Sequence, residues 1–166
     1  MAASPARAQE RLNVVASFSI LGDFVRNVGG DRVSVTTLVG PDSDAHVYSP
    51  TPADAKRIAD AKLVFVNGLG FEGWLPRLVK SAGGKAAIVT ATSGIAPLKH
   101  GSEADPHAWQ SVANAKIYVA NVRDALAAAS PADAELFRSN AETYLAKLDA
   151  LDREVRANCA DLERDF

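Results

Sequence analysis

The 166-residue sequence predicts an α/β fold: a parallel four-stranded sheet flanked by helices and followed by one long α-helix. Three observations predict it. Short Val-rich apolar runs recur through the first ninety residues, as buried strands do. Between them lie stretches with apolar residues at three- and four-residue steps, opened and closed by helix start and stop residues. The last fifty or so residues keep the helical step alone. Apolar residues make up 48% and charged residues 23%, so the chain can bury a core and is not compositionally disordered.

The elements follow in order. "LNVVAS" (12–17) is a buried-strand run. "SILGDFVRNVGG" (19–30) has helical spacing and ends on glycines, which suit a helix C-terminus. "VSVTTLV" (33–39) is a β-branched strand. After the loop "GPDSDAHVYSP", residues 51–61 open with Thr51 as N-cap, Pro52 at the first helical position and Asp54 three after the cap. "KLVFVN" (62–67) is a third strand. "EGWLPRLVKSA" (72–82) is a short helix, bent or started late by Pro76. "KAAIVTA" (85–91) is a fourth strand, and the polar loop "TSGIAPLKHGSEADPHAW" follows it. Residues 111–129 form a helix with Val112, Ala115, Val119, Val122 and Leu126 on one face.

"SPAD" (130–133) repeats the cap chemistry of "TPAD". From there Phe137, Ala141, Tyr144, Leu148, Leu151, Val155, Leu162 and Phe166 fall at helical steps. Unbroken from Pro131, this helix is about 50 Å long, against a radius of gyration near 13–14 Å for the preceding domain. It should outrun that domain and carry an apolar stripe beyond it. The single cysteine, Cys159, reads as a small buried apolar residue and excludes an internal disulfide or a Cys-based zinc site.

Charge and hydropathy narrow the function classes. The net charge is −2 and no basic cluster occurs, which argues against nucleic-acid or membrane-surface binding. No apolar run has the length of a membrane span. "ARA" at 6–8 fits the small-x-small rule of a signal-peptidase site before Gln9, although an apolar h-region is missing, so residues 1–11 read as a signal-peptide remnant. No cysteine lies near the start to carry a lipid.

Gly68-Leu69-Gly70-Phe71-Glu72-Gly73 fits the G-x-G-x-x-G fingerprint for dinucleotides. It follows the third strand rather than the first, lacks an acidic ribose partner near 91–94, and sets Glu72 where a pyrophosphate would meet a like charge. A tight glycine turn is the better reading.

Only three histidines occur, and two share a pattern: "DAH" at 44–46 and "DPH" at 105–107. His46 belongs to the loop leaving the second strand and His107 to the loop leaving the fourth. In open α/β sheets, ligand sites form beyond the carboxyl ends of the strands, where both loops emerge. Imidazole is the commonest ligand for zinc and related ions, and a ligating histidine usually gives its other ring N–H to a carboxylate or carbonyl. Asp44 and Asp105 are candidates for that support, as are nearby backbone carbonyls, and Pro50 and Pro106 stiffen the loops. His100 reads as a solvated loop residue. Trp74 and Trp109 read as packing residues.

The run "DAHVYSPTPADAKRIADAKLVFVNGLGFEGWLPRLV" followed by "DPHAW" closely resembles the zinc/manganese-binding solute-binding proteins of bacterial ABC transporters, the TroA-like family. The resemblance extends from about Leu12 to the end and covers the strand–helix order, the "NGLGFEGW" turn and both histidine loops. It implies two α/β lobes joined by one long helix, with a metal between them held by four side chains. Two of these are first-lobe histidines, at the positions of His46 and His107. A His or Glu and an Asp come from the second lobe. The expected organisation is therefore a remnant over 1–11, an N-terminal metal-binding lobe over 12–130, and an inter-lobe helix over 131–166 with the second lobe absent. His100, Glu103, Asp105 or a second molecule could complete a makeshift site.

The resemblance implies a periplasmic binding protein, not an enzyme, that captures a divalent metal for the membrane permease of an ABC importer. Zinc is favoured over manganese, on the chemistry of the histidine pair. A metal-dependent hydrolase using the two-histidine site is the alternative, with Glu103 as the nearby candidate base. Self-association through the C-terminal helix is expected beside the metal-binding reading.

Overall fold

The computed structural model describes residues 10–162. Most of the expected signal-peptide remnant, and Phe166 of the C-terminal stripe, fall outside the described residues. Four parallel strands, β1 (Leu12–Phe18), β2 (Val33–Val39), β3 (Leu63–Val66) and β4 (Ala87–Thr90), form a sheet in the order β2-β1-β3-β4. The four-stranded parallel sheet with flanking helices is as expected. The register pairs Val14 with Val35 on one side and with Leu63 on the other. Val64 pairs with Ile88. Central strands buried on both faces read as continuous apolar runs, and β3 is buried at all four residues. β4 lies at one margin, and its Ile88 is exposed.

Alternation along the strands splits the core into two layers. Val14, Ala16, Leu63 and Phe65 face α1 (Ser19–Gly29), α4 (Val112–Ala129) and α5 (Ala134–Leu162). Val15, Val64 and Val66 face α2 (Pro52–Ala59) and α3 (Leu75–Ala82). Phe65 is fully buried, and truncating such a ring to Ala costs about 3–5 kcal/mol.

Local chemistry sets the helix ends. The Thr51 hydroxyl accepts from the Asp54 N–H at 3.3 Å, and the Asp54 carboxyl accepts from the Thr51 N–H at 2.8 Å, which completes the capping box. α1 ends where Gly30 adopts φ +53, a conformation that favours glycine. α3 starts late, at Leu75, with Pro76 in its first turn. "SPAD" behaves differently from "TPAD". The Ser130 hydroxyl donates to the Asp133 carboxyl, and residues Pro131–Asp133 form a 3-10 turn. The long helix is therefore not one unbroken α-helix from Pro131; its α-helical part begins at Ala134. Tyr118, not foreseen on the α4 face, is fully buried there.

The described part of α5 has 29 residues, about 43 Å at the α-helical rise. Phe137, Ala141 and Leu148 are buried against the domain, whereas Leu151 and Val155 are 45% and 43% exposed. Cys159 is exposed too, which corrects the expectation of a buried thiol. Its helical step suits burial, but it lies beyond Leu148, with Leu151 and Val155 exposed between them.

The polar loop after β4 holds structure that the sequence did not reveal. β5 (Lys99–His100) and β6 (Glu103–Ala104) form a two-residue antiparallel hairpin turned at Gly101. Strands this short carry no periodicity to detect.

Candidate metal centre

β2 and β4 are the two outer strands, so the histidine loops rise from opposite margins of the sheet. Three strand spacings separate those margins by about 14 Å. Both loops lean inward over the ends of β1 and β3. Phe18, the last residue of β1, meets Phe71 and Trp109 at ring-centroid distances of 5.2 and 4.8 Å, and Phe71 meets Trp109 at 4.9 Å. This aromatic floor carries the imidazoles: His46 stands edge-on to Phe71 at 4.7 Å, and His107 to Trp109 at 5.3 Å. The two imidazoles are 5.2 Å apart, centroid to centroid, at an interplanar angle of 47°. Their side chains remain 47% and 37% exposed.

One local device orients both rings. Asp44 Oδ1 accepts from the His46 backbone N–H and lies against its Nδ1, each at 2.8 Å. Asp105 Oδ1 does the same for His107, at 2.9 and 2.7 Å. A carboxylate accepts only, so in the neutral form of each ring the hydrogen sits on Nδ1 and the lone pair on Nε2. The backbone N–H bonds, and then the ring bonds, hold both carboxyls below the usual range. The Asp support expected from the D-x-H spacing is thus present in both loops.

Deeper contacts hold the loops themselves. The Trp74 indole N–H donates to the Ala45 carbonyl at 2.8 Å. The Asn67 amide donates to the Pro106 carbonyl at 2.9 Å and to the Gly68 carbonyl at 3.1 Å. The Asn67 Oδ1 accepts from the Tyr118 hydroxyl, and its backbone carbonyl accepts from Thr92 Oγ1 at 2.6 Å. Burial pushes the Tyr118 phenol well above its ordinary value, with Glu72 adding to it, so the hydroxyl stays a donor. Trp74 was expected only to pack; it packs on Tyr48 and also donates. Asn67 was not foreseen. An Asn-Gly pair after a strand announces a turn, but nothing local says where the amide points.

The glycine-rich turn is a structural one, as expected. The Glu72 carboxyl accepts from Ser17 Oγ at 2.6 Å and from the N–H groups of Asn67 and Gly68 at 2.6 and 3.1 Å. Those N–H groups, which a phosphate would need, are already taken. Gly68 has φ +86, and a Cβ there would stand 2.6 Å from the Thr90 methyl.

The backbone of His100 pairs with Glu103 in the hairpin. Among the described residues no group of three His, Cys, Asp or Glu is gathered as a metal cluster. Asp105, one candidate for a makeshift ligand, is engaged by His107.

An open parallel sheet lifts two oriented imidazoles above its carboxyl edge, the arrangement of a periplasmic-binding-protein-like α/β fold. The chain belongs to the family described as zinc-uptake complex component A, periplasmic, whose model matches residues 14–166. It is 42% identical over 147 residues to the manganese-binding lipoprotein MntA of Halalkalibacterium halodurans, covering 88% of this chain and 49% of that protein. It is 36% identical over 157 residues to the iron-binding protein YfeA of Yersinia pestis, covering 92% and 50%. The manganese-bound periplasmic metal-binding protein from Candidatus Liberibacter asiaticus superposes with a TM-score of 0.76 at 40% identity, over 83% of this chain and 53% of that one. Zinc-bound AdcA from Streptococcus pneumoniae gives 0.79 at 33% identity, over 87% and 32%. The chain therefore spans about half the length of the curated relatives it matches.

Proposed function

We propose that this chain is the first lobe and connecting helix of a periplasmic substrate-binding protein. It captures a divalent transition metal for the permease of an ABC importer. His46 and His107 are the ligands it contributes. The observation that carries this reading is the pair of imidazoles 5.2 Å apart, each with Nδ1 held by an aspartate and Nε2 free to coordinate. The family's description, and relatives named for manganese, iron and zinc, support a metal cargo. Residues 12–130 form the gripping unit and residues 131–166 the connector in this reading.

Zinc is our first expectation for the tighter-bound metal, on the affinity of an imidazole pair. The relatives named for manganese favour manganese as the cargo of the whole protein. Raw affinity and cargo are separate questions, because a two-nitrogen site prefers zinc whichever metal the cell supplies. Calorimetric titration of the chain with zinc and with manganese tests the reading, beside the variant carrying His46→Ala and His107→Ala. Binding that disappears in the double variant supports it; binding that survives removes the site assignment. A hydrolase would need a free carboxylate beside the metal; its candidate base, Glu103, lies in the β5–β6 hairpin opposite His100, and the Asp44 and Asp105 carboxyls are engaged by Nδ1. Exposed Leu151 and Val155 support self-association of the chain through α5.

A further inference from the structure

The peptide unit preceding each histidine is gripped at both of its polar ends. In the unit Ala45–His46, the N–H donates to Asp44 Oδ1 and the carbonyl accepts from the Trp74 indole at 2.8 Å. In the unit Pro106–His107, the N–H donates to Asp105 Oδ1 and the carbonyl accepts from the Asn67 amide at 2.9 Å. The aspartates are local, two residues before each ring. The carbonyl donors are not. Trp74 reaches across from the turn before α3, and Asn67 stands at the end of the central strand β3.

We propose that Trp74 and Asn67 are positioning residues, one for each histidine, that fix the rotation of these two peptide planes and so the separation and aim of the two rings. This rests on the reading of His46 and His107 as ligands. An aspartate at i−2 orients a ring relative to its own loop; it cannot place one loop relative to the other. That requires a tie to the common body of the domain, which the two donors supply.

The orientation of the Asn67 amide is not arbitrary. Its NH2 group faces the carbonyls of Pro106 and Gly68, which only accept, and its oxygen faces a hydroxyl that can donate. The residue is fully buried and each side-chain atom is used. Trp74 gains its place from the Tyr48 ring, 5.1 Å away, and Tyr48 in turn donates to the Asp54 carboxyl that caps α2. Each ring is thus tied to a different part of the fold: His46 to α2 and α3, and His107 to β3 and α4.

This separation makes the test selective. Trp74→Phe keeps an aromatic ring and removes the N–H. Asn67→Ala removes the amide. Asn140→Ala, which removes a side-chain bond to the Val28 carbonyl away from the site, serves as the control for loss of stability. Long-range proton–nitrogen correlation of the imidazoles in the metal-free chain reads each ring, and zinc titration reads the site. Trp74→Phe is expected to shift the His46 ring signals and spare those of His107. Asn67→Ala is expected to do the reverse. Each should weaken zinc about tenfold, in the range seen for residues that support metal ligands, and Asn140→Ala should do neither.

The proposal fails if both rings keep their wild-type signals in the two variants, if both rings move in both, or if Asn140→Ala matches Asn67→Ala. Should Asn67→Ala not fold, Trp74→Phe decides by whether it moves the His46 ring alone. Should the wild-type chain take up no zinc, the metal reading falls, while the ring signals still decide the positioning claim.

Discussion

His46 and His107 face each other across 5.2 Å although their loops leave opposite margins of the sheet. Neither loop alone defines the site, so removing either ring should cost nearly as much as removing both. His46→Ala and His107→Ala are each expected to weaken zinc at least about tenfold, with zinc bound more tightly than manganese by the wild-type chain. Parallel titrations of the single and double variants check this. Additive losses would mean two independent weak sites.

The aspartate clasps should matter through the rings they orient. Asp105→Asn keeps an oxygen for the His107 backbone N–H but removes the charge that holds Nδ1–H. A loss of about 10–100-fold in metal affinity is expected for it and for Asp44→Asn, with little change in melting temperature because both aspartates are exposed. Unchanged affinity would make the clasps ornamental.

Glu72 is a structural anchor rather than a phosphate-repelling accident. Its two oxygens take three donors, from Ser17, Asn67 and Gly68. Glu72→Gln sets an NH2 group against at least one of them, and a buried unsatisfied donor costs about 1–3 kcal/mol. In a chain of this length each kcal/mol lowers the melting temperature by about 2–4 °C. A thermal melt that does not move would show that the turn relaxes around the change.

Asp54 gives the domain a pH dependence whose sign is fixed by its partners. Burial raises its carboxyl, but the bonds from the Thr51 N–H and hydroxyl, the Tyr48 hydroxyl and Arg57 outweigh this and lower it below 3.8. A carboxyl lowered in the folded state contributes its stability in full above the unfolded value, and loses it as pH falls through the folded one. The stability gap between the wild-type chain and Asp54→Asn should therefore be widest near neutrality and shrink below about pH 4. Denaturant titrations at pH 7 and pH 3 compare the two.

The far half of α5 presents Leu151 and Val155 one helical turn apart, both exposed. Replacing both with Glu should reduce self-association of the chain, read by light scattering at high concentration. A wild-type chain that stays monomeric there would remove the idea.

Much of the fold was legible because its signals are local. Thr51, Pro52 and Asp54 announce the start of α2 within four residues, and the capping box forms as those residues require. The strand runs are legible for the same reason, since Val14 and Val64 are buried on whichever side their neighbours lie. The strand order was not legible: nothing in "VSVTTLV" says that β2 pairs outside β1 and not beyond β3. The site divides the same way. Asp44 and Asp105 could be read from a two-residue spacing, whereas the roles of Trp74 and Asn67 depend on residues 29 and 39 positions away. Cys159 was misread because its helical step is that of a buried residue, while only the tertiary arrangement shows where the helix parts from its domain.

The single-oxygen clasp on each imidazole also bears on speed. In the proposed role, neutral rings with the hydrogen seated on both Nδ1 atoms offer an arriving cation two lone pairs, and no proton has to migrate around either ring first. Capture should then proceed as fast as the ion sheds its own water. Slowly dehydrating magnesium would be outpaced at the entrance.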